Sequence, residues 1–406
     1  MWYNSFSMDI KKFVRPTIRS LSPYAAKEIH CTVKLDANES PYGLSPKVFA
    51  DLQSTKSYTL FRTLNRYPDP EAKSLKKVAA SYFKVKPENI LTGNGSDELI
   101  YYLITTFGGP VLYPIPTFSM YGIITKAIGE KKIEIPLDED FDLDLEMILK
   151  AIKKYRPKLI FISSPNNPTG NCFSSDRILK ILNVTASVSL VVVDEAYQPF
   201  SSARGFLPLL KDYKNLVIMR TLSKIGLAGL RVGFLIADRE IINEVNKVRL
   251  PFNLGSLSQA IATEVLKDKK TLQSYIKSII SERKRLLEGL ARIKDIKPYR
   301  SEANFILFRV KDPDTIYRRL LKKGVLVRNM RGVVNGCLRV TIGTPKENRI
   351  FLKALREEVI SVPKTWQRIR RRGTRTSQKL GIYTEKDVDE LIHSHRRRKN
   401  EDRIRS

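Results

Sequence analysis

Residues 221–233 read Thr-Leu-Ser-Lys-Ile-Gly-Leu-Ala-Gly-Leu-Arg-Val-Gly and place one lysine, Lys224, between two apolar runs. The runs at 216–219 and 232–237 predict buried strands, because short uninterrupted apolar stretches are typical of sheet cores. A lysine on the turn between them is expected at the edge of the sheet, where partial burial of the amine favours a nucleophile. A solvated surface lysine would give the same short pattern, so the interpretation depends on the rest of the chain.

Three further motifs lie at predicted strand ends. Residues 91–100 read Leu-Thr-Gly-Asn-Gly-Ser-Asp-Glu-Leu-Ile, which predicts a glycine turn that opens a helix over 97–107. The free N–H groups and the dipole of a helix start favour a phosphate dianion, although N-capping alone would explain the same residues. Residues 164–170, Ser-Pro-Asn-Asn-Pro-Thr-Gly, follow an apolar run, and residues 191–197, Val-Val-Val-Asp-Glu-Ala-Tyr, end one.

The order and spacing of these four motifs over residues 30–360 resemble the fold-type I pyridoxal-phosphate aminotransferases. Within that family, the histidinol-phosphate aminotransferases are the most similar group. The resemblance implies an α/β fold with a large cofactor-binding domain, whose mostly parallel central sheet is flanked by helices, and a smaller α+β domain. The implied boundaries are an N-terminal segment that forms a lid of the small domain at 1–45, the large domain at 46–260, the small domain at 261–362 and a basic tail at 363–406.

The resemblance also assigns roles to the polar residues of the motifs. Lys224 is expected to hold the aldehyde of pyridoxal 5'-phosphate and then to act as general base and acid. Asp194 is expected to keep the ring nitrogen protonated, which lets the ring take up an electron pair, and Tyr197 to hydrogen-bond to the 3-oxygen. The other implied cofactor residues are Gly95, Ser96, Asp97, Thr221, Ser223 and Arg231 at the phosphate, Phe118 on the ring face, Asn167 at the 3-oxygen, and Tyr67, which reaches the cofactor of the second subunit of a homodimer.

Two positions depart from the pattern of the family. Arg231 follows Lys224 by seven residues, whereas most members have eight, so the connecting turn is expected to be one residue shorter. Phe118 stands where many members carry tyrosine, so a hydroxyl contact is lost there. Packing in the core is the alternative role for Phe118.

Two arginines near the carboxyl-terminal end of the body indicate the substrate. Arg328 and Arg339 lie on two strand-like runs. A general aminotransferase needs one arginine for a carboxylate, whereas two convergent arginines suit a phosphate dianion, and the resemblance implies L-histidinol phosphate and 2-oxoglutarate. Threonine-phosphate decarboxylases share the pair, and an aromatic amino-acid aminotransferase would use the same lysine, so both remain alternatives. The segment 33–43 is the implied lid, and Asn38 and Asn304 are implied substrate contacts.

The composition limits the remaining classes of function. The 406 residues include three cysteines and only three histidines, of which His393 and His395 lie in the last 14 residues. The odd number and wide spacing of the cysteines predict a reducing cytoplasm and no metal site, and the scarcity of histidine argues against a histidine-based active site in the body. No apolar run is long enough to span a bilayer, and residues 1–8 lack the basic head and apolar block of a signal peptide.

The net charge of +30 leaves one alternative from another class. Residues 363–406 hold 14 Lys and Arg against 6 Asp and Glu, so most of the excess belongs to the body. Such a field attracts anionic substrates and, less specifically, nucleic acid. A basic nucleic-acid-binding protein is therefore the rival of the enzyme. The scarcity of aromatic residues in the tail and the intact Lys224, Asp194 and Asn167 favour the enzyme.

Overall fold

The computed structural model describes residues 9–23, 29–53 and 61–360. The predicted basic tail at 363–406 lies outside the described residues. The helices run over Pro16–Arg19, Pro46–Leu52, Lys73–Phe83, Gly95–Phe107, Met120–Ile128, Leu145–Tyr155, Ser175–Val184, Arg239–Asn246, Ser256–Lys267, Lys269–Ala291, Pro313–Lys322 and Pro345–Ile360. The strands are β1 (Val33–Leu35), β2 (Ile90–Asn94), β3 (Val111–Ile115), β4 (Lys132–Pro136), β5 (Leu159–Ser163), β6 (Leu190–Asp194), β7 (Leu216–Thr221), β8 (Val232–Ala237), β9 (Ile296–Pro298), β10 (Phe305–Val310), β11 (Val325–Asn329) and β12 (Cys337–Thr341).

Seven strands form the larger sheet, in the order β2-β8-β7-β6-β5-β3-β4. Neighbouring strands from β4 to β7 are parallel, whereas β8 is antiparallel to both β7 and β2. Strands β5, β6 and β7 are apolar and buried along almost their whole length, as expected of parallel strands covered by helices on both faces. This confirms the predicted mostly parallel sheet.

The antiparallel pair β7 and β8 follows from the length of its connection. A parallel crossover needs about a dozen or more residues, and residues 222–231 are too few, so the chain turns back. The connection consists of a π-helical turn, Ser223–Leu227, and a 3-10 turn, Ala228–Leu230. Lys224 therefore lies on a short turn between two buried strands, as the sequence predicts.

Four segments of the chain meet at one edge of the larger sheet. The register pairs Ser163 with Asp194 and Asp194 with Met219, so β5, β6 and β7 end side by side. At the same edge Gly93 is paired with Gly233, which brings the end of β2, and with it the start of the next helix, beside the β7–β8 connection. Ligand sites of open α/β sheets lie outside the carboxyl ends of the strands, so this edge is the candidate site.

The smaller sheet has the order β1-β11-β12-β10-β9. Strand β1 is parallel to β11, with Val33 opposite Val325, and the other pairs are antiparallel. Both sheets belong to one compact unit, residues 1–354. The smaller sheet thus joins an N-terminal strand to late strands, and the division into domains at 45, 260 and 362 stays a prediction.

Most predicted helices are confirmed, with small shifts at their starts. The sequence pattern predicts a helix over Leu145–Tyr155, and the structure has a helix with these bounds. The helix predicted over 97–107 begins at Gly95, whose φ of +79° is readily adopted by glycine. The sequence pattern also predicts a helix from Glu71 to Phe83. The observed helix begins two residues later, at Lys73, because the Asp69 carboxylate accepts the N–H of Lys73 at 2.8 Å and holds the preceding turn.

We expect Gly233→Ala to destabilise the chain at the candidate edge. A Cβ on Gly233 would lie 2.8 Å from the carbonyl carbon of Gly95 and 3.0 Å from the backbone nitrogen of Ser96, so the two backbones would have to separate. Overpacking of this kind costs about 1–3 kcal/mol, which urea denaturation would show as a lower free energy of unfolding.

Gly229→Ala is the matched control, because a Cβ at Gly229 would meet no atom within 4 Å. Both substitutions restrict the unfolded chain in the same way, so that effect cancels in the comparison. Equal stability of the two variants would contradict the close approach at Gly233.

Candidate active site

Lys224 lies over the ring of Tyr197, with Nζ 5.9 Å from the ring centroid. The turn that carries the lysine is tightly packed. Gly226 has a φ of +111°, and a Cβ there would lie 2.7 Å from the carbonyl oxygen of Tyr42. Lys224 is partly buried and Tyr197 is buried, so the amine faces an enclosed aromatic surface at the edge of the sheet.

Asp194 places a carboxylate inside the protein at the end of β6, where it is only 3% exposed. Its Oδ1 accepts the N–H of Ala196 at 3.0 Å, and its Oδ2 accepts the hydroxyl of Tyr121 at 2.7 Å. Burial raises the pKa of Asp194 from 3.8 to about 6, and the charge of Asp97 adds to the rise, while the two hydrogen bonds and Lys224 oppose it. A carboxylate in this environment gains from a cation placed against it.

Tyr121 is the site residue that sequence reasoning missed. The stretch 111–121 contains three aromatic residues, and the motif assigns a role only to Phe118. The Phe118 ring meets Tyr121 edge-on, with centroids 5.6 Å apart and an interplanar angle of 86°, and Phe118 is only partly buried. Nothing in the local pattern separates a tyrosine that uses its hydroxyl from one that only packs.

Asn38 joins the N-terminal segment to both sheets. Its Nδ2 donates to the hydroxyl of Tyr197 at 2.9 Å, its N–H donates to Oγ1 of Thr341 at 2.9 Å, and its carbonyl accepts Nδ2 of Asn304 at 3.0 Å. The residue is 1% exposed and has a left-handed φ of 55°, which asparagine adopts more readily than most residues. Because the Tyr197 oxygen accepts a hydrogen bond from Asn38, its own proton can be donated elsewhere.

Arg231 lies against the start of helix Gly95–Phe107. Its Nη2 is 3.1 Å from a carboxylate oxygen of Asp97. A Cβ on Gly95 would overlap the same nitrogen, so only glycine permits the approach. The shorter spacing from Lys224 therefore does not remove the arginine from the helix start.

The polar groups at this helix start fit a phosphate group. Oγ of Ser96 is buried and has no hydrogen-bond partner among the described residues, and the first N–H groups of a helix have no partner within the helix. Thr221, opposite Gly233 in the sheet, donates its hydroxyl to Oγ of Ser223 at 2.9 Å. With Arg231, these groups supply the donors that a dianion requires.

Arg328 and Arg339 lie directly opposite each other on the antiparallel strands β11 and β12. Opposite residues project from the same face of a sheet, so both guanidinium groups extend from one side of the smaller sheet. Arg339 is 8% exposed and donates to Oδ1 of Asn167 at 2.6 Å and to the carbonyl of Asp36 at 2.8 Å, whereas Arg328 is exposed. Since Arg339 holds the acceptor end of the Asn167 amide, the donor end of that amide is turned away from the arginine.

The chain matches the family model of aminotransferase class I and II over residues 32–355. The chain belongs to this family. A histidinol-phosphate aminotransferase from Aquifex aeolicus (strain VF5) is 43% identical over 354 residues, which cover 85% of this chain and 98% of that protein. The crystal structure of a histidinol-phosphate aminotransferase from Sinorhizobium meliloti, in complex with pyridoxal-5'-phosphate, matches with a TM-score of 0.77 at 26% identity and covers 86% of this chain and 98% of that chain.

An L-threonine-O-3-phosphate decarboxylase from Porphyromonas gingivalis also shares the fold of this aminotransferase. Its TM-score is 0.69 at 24% identity, covering 80% of this chain and 98% of that chain, and this likeness concerns the fold alone. Together the comparisons confirm the predicted fold class and the predicted family.

Tyr67, another predicted site residue, lies at the surface of the aminotransferase. Its side chain is 81% exposed, and its ring stacks on Phe252 with centroids 4.5 Å apart. Arg249 connects the two segments, since it donates to the carbonyl of Pro70 and to the carboxylate of Glu71, both at 2.6 Å. Tyr67 is thus held at the surface of its own chain.

Three further findings concern the described part of the aminotransferase. Within residues 9–23, 29–53 and 61–360, none of the helices has the length and apolar character needed to cross a membrane. The same ranges contain no group of three or more His, Cys, Asp or Glu side chains that could hold a metal ion. The three cysteines are unpaired.

We expect Asp194 to make the stability of the cofactor-free aminotransferase depend on pH. Because its pKa is raised from 3.8 to about 6 in the folded chain, the folded state binds the proton more tightly than the unfolded state. The stabilising contribution is therefore complete at low pH, below the unfolded pKa, and is lost as the pH rises through the folded one. At about 1.4 kcal/mol per pKa unit, the loss amounts to about 3 kcal/mol.

Asp194→Asn removes the titrating group and keeps its shape. The difference between wild-type and variant free energies of unfolding, measured with urea from about pH 4 to about pH 8, should change with pH as the wild type loses stability relative to the variant. A difference that stays constant over this range would contradict a buried ionisable carboxylate at the end of β6.

Proposed function

We propose that this aminotransferase transfers the amino group of L-histidinol phosphate to 2-oxoglutarate in histidine biosynthesis, with pyridoxal 5'-phosphate as cofactor. The assignment of this substrate rests on the position of Arg328 directly opposite Arg339 on β11 and β12. Two guanidinium groups on one face can grip a phosphate monoester with charge-assisted hydrogen bonds. A histidinol-phosphate aminotransferase that is 43% identical to this chain, with 98% of its length covered, supports the same substrate.

The site contains a suitable group for each part of the cofactor. The buried Ser96 hydroxyl, which has no partner among the described residues, favours a bound anion at the helix start. When bound, pyridoxal 5'-phosphate supplies an aldehyde that captures the substrate amine and a ring that accepts an electron pair. The residues proposed to hold it are Gly95, Ser96, Asp97, Thr221, Ser223 and Arg231 at the phosphate, Phe118 on the ring face, Asp194 at the ring nitrogen, Asn167 and Tyr197 at the 3-oxygen, and Lys224 at the aldehyde.

The side chains of this site divide the proton chemistry among them. The Lys224 amine, once released, takes the proton from the reacting carbon of the substrate as general base and returns one as general acid. Asp194 holds a proton on the ring nitrogen through its negative charge. The hydroxyl oxygen of Tyr197 already accepts a hydrogen bond from the Asn38 amide. Tyr197 is therefore oriented to donate its own proton to the 3-oxygen.

The substrate side of the site is built by the smaller sheet and the N-terminal segment. We assign the phosphate of L-histidinol phosphate, and in the second half-reaction a carboxylate of 2-oxoglutarate or glutamate, to Arg328 and Arg339. Asn38 and Asn304 are both buried and bonded to each other. They fix the N-terminal segment over Tyr197 and so exclude water from the reacting atoms.

The exposed apolar side chains favour a homodimer. Large exposed apolar side chains mark interaction surfaces, and several occur in the two segments that carry Tyr67 and its stacking partner: Phe61, Leu64, Leu250 and Phe252. In such a dimer Tyr67 of each chain would reach the cofactor phosphate of the other. The unpaired cysteines support a cytoplasmic location, because disulfides are rare in reducing compartments.

We expect Lys224→Ala to abolish the visible absorbance of the lysine-bound cofactor and to lower turnover by about 100- to 10,000-fold, the usual contribution of a general acid–base group. Absorbance spectra and a glutamate-formation assay measure the two effects. Lys150→Ala is the control, since Lys150 is exposed and pairs only with Glu146 in the described structure. Wild-type turnover in Lys224→Ala would overturn the assignment.

We expect Arg328→Ala to impair the use of the phosphorylated donor selectively. A hydrogen bond to a charged group contributes about 1.5–3 kcal/mol, so kcat/KM for L-histidinol phosphate should fall about 10- to 100-fold. The value for L-histidinol, which lacks the phosphate, should change little. Steady-state kinetics with both donors measure the difference.

Arg309→Ala on β10 of the same sheet is the control, because Arg309 contacts Tyr299 and the carbonyl of Asn335 instead. An equal fall for both donors in Arg328→Ala would contradict phosphate recognition. Release of carbon dioxide from L-threonine phosphate would favour the decarboxylase alternative, and turnover of aromatic amino acids alone would favour the aromatic aminotransferase.

A further inference from the structure

The carboxylate of Asp194 has a partner to which no motif and no proposed role has yet been given. Oδ2 accepts the hydroxyl of Tyr121 at 2.7 Å, and Oδ1 accepts the N–H of Ala196 at 3.0 Å. The Ala196 bond comes from the same loop and would form in any chain with this turn. The Tyr121 bond comes from a different element, the helix Met120–Ile128, 73 residues away in the sequence.

The position of the Tyr121 hydroxyl is fixed by the core. The side chain is 0% exposed, and its ring stacks on Phe161, with centroids 4.8 Å apart and an interplanar angle of 17°. Phe161 belongs to β5, the strand paired directly with β6, and β5 pairs its last residue, Ser163, with Asp194. Phe161, on which the Tyr121 ring stacks, and Asp194, which accepts the Tyr121 hydroxyl, therefore lie on neighbouring strands.

The hydroxyl of Tyr121 can act only as a donor to this carboxylate. Burial and the adjacent charge of Asp194 raise the pKa of Tyr121 well above 10, so it keeps its proton at any pH at which the enzyme works. Three other charged or titratable groups act on the pair. Asp97 raises the pKa of Asp194 and Lys224 lowers it. Tyr197 raises the pKa of Tyr121. Burial favours the neutral form of Asp194, and among the groups that favour the ionised form the Tyr121 hydrogen bond has the largest effect on its pKa.

We propose that Tyr121 is a positioning residue for the reaction: its hydroxyl keeps the buried Asp194 carboxylate ionised and aimed, and so controls how firmly the ring nitrogen of the cofactor holds its proton. This inference rests on the proposed function. A carboxylate has about four lone-pair sites, so two donors from the protein leave room for the ring N–H. Without Tyr121, Asp194 competes for that proton, and the ring accepts electrons less well.

The test is Tyr121→Phe, which removes one oxygen and keeps the stack on Phe161. Tyr113→Phe is the matched control. The Tyr113 side chain is also buried, its ring lies 6.2 Å from that of Tyr121, and its hydroxyl donates to another carboxylate, Glu134, at 2.8 Å. Both variants lose a tyrosine–carboxylate hydrogen bond in the same aromatic cluster, which is buried for Tyr121 and partly buried for Tyr113. Only Tyr121→Phe removes a contact to Asp194.

The first readout needs no cofactor. In the full chain, the Asp194-linked loss of stability with pH should move upward by about one pH unit in Tyr121→Phe, since the lost bond to a charged group is equivalent to about one pKa unit or more. Tyr113→Phe should leave this midpoint in place. In an Asp194→Asn background, Tyr121→Phe should cause no pH-dependent change, because the titrating group is gone.

The second readout uses the holoenzyme. The acid limb of the kcat/KM profile for L-histidinol phosphate should move upward by about one pH unit in Tyr121→Phe and should not move in Tyr113→Phe. Unshifted profiles and unshifted stability midpoints in Tyr121→Phe, in a wild type that transaminates, would overturn the inference and leave the proposed function standing. A wild type that binds no pyridoxal 5'-phosphate would overturn the proposed function and the role at the ring nitrogen, while the stability measurement would still decide whether Tyr121 and Asp194 are coupled.

Discussion

A carboxylate that is almost fully buried has to receive hydrogen bonds and positive charge from its surroundings, and Asp194 imposes this requirement on the whole site. Ala196 meets it from the loop after β6, Tyr121 from the helix after β3, and Lys224 from the connection between β7 and β8. These groups come from three different connections. They converge because parallel strands bring their carboxyl ends to one edge, so the order of the sheet is the condition for burying the charge.

The larger sheet and the place of the lysine could be predicted because their signals are local. Strands β5 to β7 are buried on both faces, so their sequences are continuous apolar runs that need no knowledge of their neighbours. The turn at Lys224 is bounded by two such runs. Its ten residues are too few for a parallel crossover, so the next strand has to be antiparallel. The opposition of Arg328 and Arg339 is also nearly local, since both lie on one antiparallel pair joined by a short loop.

Tyr121 and Asn38 could not be given their partners in this way, and the reason is the same for both. Their hydrogen bonds to Asp194 and Tyr197 span 73 and 159 residues, and the identity of a side chain does not specify a partner at that distance. The turn-forming residues around Asn38 predict a turn, but not its left-handed backbone or the hydroxyl that its amide reaches. The helix start at Gly95 also lies against a segment distant in the sequence, since a Cβ on Gly233 would lie 2.8 Å from the carbonyl carbon of Gly95.

The parallel pairing of β1 with β11 has a consequence for the way in which the protein is made. Val33 pairs with Val325, and a ribosome that adds roughly 5–20 residues per second leaves β1 without its strand partner for on the order of 15–60 s. All strands of the larger sheet have been synthesised before that time, since β8 ends at Ala237. During synthesis, the strands of the larger sheet are therefore all available before β1 can pair with β11. The N-terminal segment that carries Asn38 takes its final place only after that pairing.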